Sequence, residues 1–131
     1  MVKALEIKPV HRASCHCGAV QFELDLPRGL QDPHRCDCSF CRMRGAIAAS
    51  VPLDALRITK GADKLTLYQF RTMTAKHYFC SVCGIYTHQQ RRSNPKQFGF
   101  NVACLEGVTP YEHGEVPIMD GINHPSDRKR V

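Results

Sequence analysis

The sequence predicts a mainly β fold: one small domain of short antiparallel sheets with little helix. Three observations lead there. Apolar and polar residues alternate in short runs, as where Val20, Phe22, Leu24 and Leu26 are set against Gln21, Glu23 and Asp25, the pattern of a strand with one buried face. Proline- and glycine-bearing turn signals separate these runs. The chain of 131 residues fits one domain spanning 1–131 and is tight for two, with no repeat, low-complexity tract or linker to divide it.

Taken in order, residues 1–12 read as a lead-in, and the strand over 20–26 ends at Pro27, Gly29 and Pro33. After Cys38, Ser39 is placed to cap a short turn of helix running through Arg44, with Gly45 at its end. Runs 47–52 and 56–59 read as strands around a turn at 52–54. Runs 65–70 and 76–79 read as two more, joined by a loop at 71–74. Another strand, 85–90, leads into a loop at 91–95. Phe98, Phe100, Val102 and Cys104 then alternate with Gln97, Gly99 and Asn101 on a last strand. The tail from 112 is rich in glycine, proline and charge.

Composition excludes several classes. Hydrophobic residues are 43% and charged residues 23%, which is globular and not disordered. No apolar run approaches the ~20 residues of a membrane helix. Lys3, Glu6 and Lys8 interrupt the apolar start, which does not read as a signal peptide. The expected compartment is therefore the reducing cytoplasm. Eight cysteines are about 6% of the chain, below the ~8–10% of short disulfide scaffolds, and in a reducing compartment clustered cysteines hold metal more often than disulfides. The net charge of +6 suits an anionic substrate, nucleic acid or a merely solvated surface.

Seven of the cysteines fall in tight groups: Cys15-x-Cys17, Cys36-x-Cys38-x-x-Cys41 and Cys80-x-x-Cys83. Such short loops strain a disulfide but let a turn aim two thiolates at one ion. Gly18 and Gly84 follow two of the groups and permit the sharp backbone required. Seven divides into a closed site of four and a site of three. Cys15, Cys17, Cys80 and Cys83 form the expected structural zinc site, with iron or a reduced thiol cluster as alternatives. Cys36, Cys38 and Cys41 form either an open, reactive metal site or a second closed one, completed by a histidine or by Cys104. Cys38 and Cys41 are spaced i, i+3 and share a helix face. Cys104 is expected to be a buried free thiol. None of the seven histidines forms a His-x-x-His or His-Glu-x-x-His pair, and His16 reads as a spacer inside a cysteine group.

Three segments in order carry a family resemblance: Ser14-Cys15-His16-Cys17-Gly18-Ala19-Val20, Cys36-Asp37-Cys38-Ser39-Phe40-Cys41, and His77-Tyr78-Phe79-Cys80-Ser81-Val82-Cys83-Gly84. Together they resemble the glutathione-dependent formaldehyde-activating enzyme family, of which centromere protein V looks like a relative. The likeness continues through Asn101-Val102-Ala103-Cys104-Leu105-Glu106-Gly107 and Asp120-Gly121, covering roughly residues 11–125. The resemblance implies a β-tent domain carrying two zinc ions per chain. It implies structural zinc at Cys15, Cys17, Cys80 and Cys83, and catalytic zinc at Cys36, Cys38 and Cys41. It also implies a carbon–sulfur lyase-class reaction that joins glutathione to formaldehyde as S-hydroxymethylglutathione.

A zinc held by three thiolates is a weak Lewis acid but deprotonates a coordinated thiol. The expected chemistry is thus addition of a zinc-bound thiol, glutathione or similar, to a small aldehyde. A histidine or tyrosine is suited to supply a proton, and the sequence assigns neither. Arg42, Arg44, Arg91 and Arg92 are available to meet the carboxylates of glutathione. The competing expectation is a non-catalytic, zinc-stabilised binding module for nucleic acid or an acidic protein, through the positive charge and the Arg128-Lys129-Arg130 tail. Against it, no long basic tract and no interleaved aromatic set is present.

Overall fold

The computed structural model describes residues 6–92, 94–110 and 115–119. The first five residues, Asp120-Gly121, His113, His124 and the Arg128-Lys129-Arg130 tail lie outside the described residues. In chain order the elements are β1 (Val10–Ser14), β2 (Gln21–Asp25), β3 (Arg35–Cys36), α1 (Ser39–Arg44), β4 (Ala48–Pro52), β5 (Leu56–Lys60), β6 (Leu65–Tyr68), β7 (Lys76–Cys80), β8 (Tyr86–Gln90), β9 (Gln97–Asn101) and β10 (Ile118–Met119). The chain is mainly β with little helix, as the alternation predicts.

Three sheets result. A three-stranded antiparallel sheet runs β1-β2-β5, and a five-stranded antiparallel sheet runs β4-β9-β8-β7-β6. A short parallel pair joins β10 to β3 and sets Met119 beside Cys36. The core lies between the larger sheets. Val20, Phe22, Leu24 and Leu26 all point into it, with Ala49 and Val51 of β4, Phe100 of β9 and Leu105 beyond it. Phe22 meets His88 of β8 across the gap at 6.0 Å between ring centres. The polar alternates Gln21, Glu23 and Asp25 face outward or sit half-buried, so β2 has the predicted register.

Three local expectations are corrected. The lead-in contains β1, whose inward residues are His11 and Ala13. Neither looks apolar and large, so the alternation is invisible in sequence. His11 is buried because both ring nitrogens are satisfied. Nδ1 accepts from the Lys8 backbone N–H at 3.1 Å, which leaves Nε2 to donate to the Glu106 carbonyl at 2.8 Å. Second, the residue capping α1 is Cys38, not Ser39: its sulfur accepts from the Cys41 backbone N–H. Third, the last long strand stops at Asn101. The Asn101 side chain accepts from Ala103 N–H and donates to the Tyr86 carbonyl, bending Val102–Cys104 into a 3-10 turn. Cys104 therefore does not share a strand face with Phe98 and Phe100.

His88 is 4% exposed. It stacks on Tyr78 at 4.7 Å, meets Phe98 edge-on at 5.2 Å, and has its Nδ1 2.9 Å from the Thr87 hydroxyl. Burial pushes its pKa down from 6.5 to about 4. The unfolded chain therefore binds a proton between those values that the native chain refuses, and stability falls as the pH drops through this window. Between pH 7 and 4.5 this group should cost roughly 2 kcal/mol. Denaturant titrations of wild type and His88→Phe at both pH values check it. The variant should lose less stability on acidification by about that amount.

Candidate metal centres

Two hairpin turns build the first cluster. Cys15 and Cys17 occupy the turn between β1 and β2, while Cys80 ends β7 and Cys83 sits in the turn before β8. The turns share one design. Gly18 N–H donates to the Cys15 carbonyl and Gly84 N–H to the Cys80 carbonyl, and both glycines take positive φ, +81° and +79°, which other residues resist. Backbone amides then point at sulfur: Val20 N–H at Cys15 Sγ, 3.3 Å, and Val82 N–H at Cys80 Sγ, 3.4 Å. The backbone amides of Cys17 and Ile85 hold the Cys83 thiol down, to about 6.

The four sulfurs lie within 4.8 Å of one another. Cys17 Sγ is 3.7 Å from Cys15 Sγ and 3.8 Å from Cys80 Sγ. A tetrahedral ion with metal–sulfur bonds of about 2.3 Å sets its sulfurs about 3.8 Å apart. Both of those distances match such an ion. Cys15 and Cys80 are buried and Cys83 half-buried, with Cys17 on the outer side.

The second cluster gathers Cys36 from β3, Cys38 from the cap of α1 and Cys41 from its first turn. Their sulfurs also lie within 4.8 Å of one another, and all three are half-buried. Among the described residues no other histidine, cysteine or carboxylate joins them. Cys104 in particular does not. The Cys38 thiol is held well below its ordinary range by the thiols of Cys36 and Cys41, helped by the backbone amides of Cys41 and Phe40. Cys36 is pushed up by the Cys38 thiol first, and Cys41 by the thiols of Cys36 and Cys38. Three sulfurs this close form a donor set that suits a cation.

A polar and aromatic wall stands beside this trio. Arg44, one turn beyond Cys41, donates to Cys41 Sγ at 3.4 Å and to Gln89 Oε1 at 2.7 Å. Its guanidinium carbon lies 3.6 Å from the centre of the Tyr86 ring and 4.7 Å from that of Phe40. His77 Nδ1 is 3.0 Å from the same Gln89 oxygen. The same Nδ1 is 3.4 Å from Arg44 Nη1. The amide oxygen only accepts and the guanidinium only donates, so the ring tautomer selects which of the two bonds forms. Burial and then the Arg44 guanidinium push His77 down to about 4, so the ring is neutral at physiological pH. Phe40, Tyr68 and Phe70 pack around it, with ring centres 4.7–5.7 Å apart.

Of the four arginines marked in the sequence, Arg42 is exposed on α1 and Arg92 half-buried. Arg91 is buried and donates to Asp32 at 3.1 Å, Ser50 Oγ at 2.6 Å and Gln97 Oε1 at 3.3 Å. It is an internal tie and not a ligand-facing cation. His16 is exposed, as expected of a spacer. Sequence reasoning missed His77, Gln89 and Tyr86, which only the pairing of β7 with β8 brings to α1. The i, i+3 spacing of Cys41 and Arg44 was the one available signal.

Cys104 is buried and donates to the Tyr86 carbonyl at 3.4 Å, and burial raises its thiol to about 12. Cys104→Ala should leave metal content per chain unchanged and cost about 1 kcal/mol of packing. Elemental analysis with a denaturant titration checks both.

Comparison with known proteins agrees with this frame. The family model described as glutathione-dependent formaldehyde-activating enzyme matches residues 10–117. Three curated relatives provisionally named for that enzyme align with the chain. That from Penicillium rubens is 33% identical over 55% of this chain, that from Halomonas elongata 37% over 53%, and that from Podospora anserina 34% over 60%. The aligned part spans 39%, 49% and 37% of their respective lengths, so the chain spans less than half of each. A crystal structure of a Rhodobacter sphaeroides protein superimposes with a TM-score of 0.80 at 62% identity, over 82% of this chain and 99% of that one. With the match running from β1 almost to β10 and taking in all seven clustered cysteines, the chain belongs to the glutathione-dependent formaldehyde-activating enzyme family.

Proposed function

We propose that this chain is a zinc-dependent enzyme of carbon–sulfur lyase type that adds a thiol, glutathione or similar, to a small aldehyde such as formaldehyde. The observation that carries the reading is the contrast between the two sulfur clusters. One has four sulfurs and closes a tetrahedron; the other has three, half-exposed, in a chain of this family. Cys15, Cys17, Cys80 and Cys83 would hold a structural zinc and Cys36, Cys38 and Cys41 a second. Residues 1–131 are read as one domain acting in the cytoplasm. Among the described residues no helix is long and apolar enough to cross a membrane.

Zinc at the trio would supply a binding place for a thiol as its thiolate. The rest of the reading concerns the chain's own groups. Cys36, Cys38 and Cys41 would hold the ion with three sulfurs, and among the described residues no fourth protein ligand joins them. Phe40, Tyr68 and Phe70 form an aromatic cluster with His77 beside them. In the tautomer that donates from Nδ1 to Gln89, the neutral His77 ring offers Nε2 as an acceptor for the thiol proton. Addition forms one sulfur–carbon bond, and the proton leaving sulfur ends on the former aldehyde oxygen, with no oxidant or reductant involved. The direct test is adduct formation from glutathione and formaldehyde, followed by NMR. Catalysis above the spontaneous rate supports the reading, and its absence with several thiols and aldehydes overturns it.

The two clusters share no ligand, so they should separate by mutation. Cys80→Ser, or strong chelation, should unfold the chain, because structural zinc contributes about 10–16 kcal/mol of apparent binding free energy in small domains. Circular dichroism melts check this, and an unchanged cooperative melt would refute it. Cys38→Ser should instead remove one zinc per chain and abolish adduct formation while the melt persists. Elemental analysis and circular dichroism on the same sample distinguish that outcome from unfolding.

A further inference from the structure

Arg44 is placed in a way that packing alone does not explain. It sits on the last turn of a six-residue helix, yet its guanidinium turns inward instead of extending into water. There it meets a sulfur, an amide oxygen and two aromatic faces. Its Nε is buried without a hydrogen-bond partner, as is the hydroxyl of the Tyr86 ring beneath it. Unsatisfied buried donors are a cost, and an apolar residue at this position would avoid it. Arg42, two residues earlier on the same helix, is exposed.

The charges around the trio supply the reason. Three thiolates and a divalent cation sum to −1. A fourth, anionic sulfur makes that −2, and Asp37 lies in the same loop. Gathering this much negative charge in a half-buried place is unfavourable without a counter-charge. Arg44 is held where it can provide one. Gln89 fixes one terminal nitrogen, the Tyr86 face fixes the plane, and the same nitrogen reaches Cys41 Sγ. His77, on the other side of Gln89, is neutral and adds none.

We infer that Arg44 is the counter-ion of the Cys36/Cys38/Cys41 centre: a positioning residue that stabilises its thiolates and lets it accept a fourth, anionic sulfur. The inference rests on the proposed metal-binding role of the trio. It assigns Arg44 to the sulfurs and not to the carboxylates of glutathione.

The test uses the zinc-loaded protein with Arg44→Gln, Arg44→Lys and, as a control from the same helix, Arg42→Gln. Chelator competition reads the affinity of the trio for zinc. Calorimetry reads binding of two thiols, glutathione and the uncharged 2-mercaptoethanol. Arg44→Gln should weaken zinc binding at the trio, and binding of both thiols equally, by roughly ten- to hundredfold. Arg44→Lys should recover part of this, because it keeps the charge and loses the fork. Arg42→Gln should match wild type in zinc affinity and in 2-mercaptoethanol binding, and circular dichroism should show all variants folded. Weakening of glutathione alone would overturn the inference, since Arg44 would then read a carboxylate. Unchanged zinc affinity in Arg44→Gln would overturn it as well. If the wild type binds neither thiol, the proposed enzymatic function falls, and the chelator competition still decides the role of Arg44.

Discussion

The meeting of four sulfurs at two hairpin turns is the constraint on which the rest of the structure depends. The turn between β1 and β2 belongs to the three-stranded sheet, and the turn between β7 and β8 to the five-stranded one. Cys17 and Cys80, 63 residues apart, approach to 3.8 Å. A core of this size is held by few large side chains, chiefly Phe22, Leu24 and Phe100. Small sheets that bury so little gain disproportionately from a cross-link at their ends. The turns are built for it. A glycine with positive φ follows each cysteine pair, and backbone amides already point at sulfur. The ligand sphere is thus largely organised by backbone geometry before any ion is considered.

The second centre follows a different logic. Its three sulfurs come from one continuous stretch, the end of β3 and the first turn of α1, so it ties no distant segments together. Its surroundings instead come from far along the chain. His77 and Gln89 stand opposite each other on β7 and β8, and Tyr86 opens β8. The helix lays Phe40 and Arg44 against them. A local ligand set thus faces a non-local wall. The ligands form with the loop, while the groups beside them are set by the rigid sheet. The same division explains why the clusters are expected to respond so differently to loss of a cysteine.

Two of the described histidines serve as structural groups. His11 bridges β1 to the segment after β9, and His88 fills the space between Phe22, Tyr78 and Phe98. Both are buried. The intuition that histidines in a cysteine-rich chain are ligands fails here, since among the described residues none joins either sulfur cluster. Arginine tied into the interior is the other departure from surface expectation. Arg91 closes a polar network with Asp32, Ser50 and Gln97, and Arg44 closes one with Gln89 and Cys41.

By itself the sequence determined the grouping of the seven sulfurs, most of the strands and the α-helix after Cys38. Each is encoded locally: cysteines two or three apart need a turn, alternation over five residues needs one buried face, and Gly45 ends a helix by taking positive φ. It could not reveal β1, because His11 and Ala13 are inward for reasons of hydrogen bonding and size rather than hydrophobicity. Nor could it reveal that the strand through Phe100 ends at Asn101, where a side chain outcompetes the sheet for backbone partners. The wall beside Cys36, Cys38 and Cys41 was decided by tertiary structure alone. His77, Gln89 and Tyr86 are ordinary strand residues in sequence, and they become neighbours of α1 only when the five-stranded sheet forms and the helix packs on it. Spacing along a chain specifies which residues can share an ion, whereas the charge and proton environment of that ion depends on contacts between segments that no local pattern records.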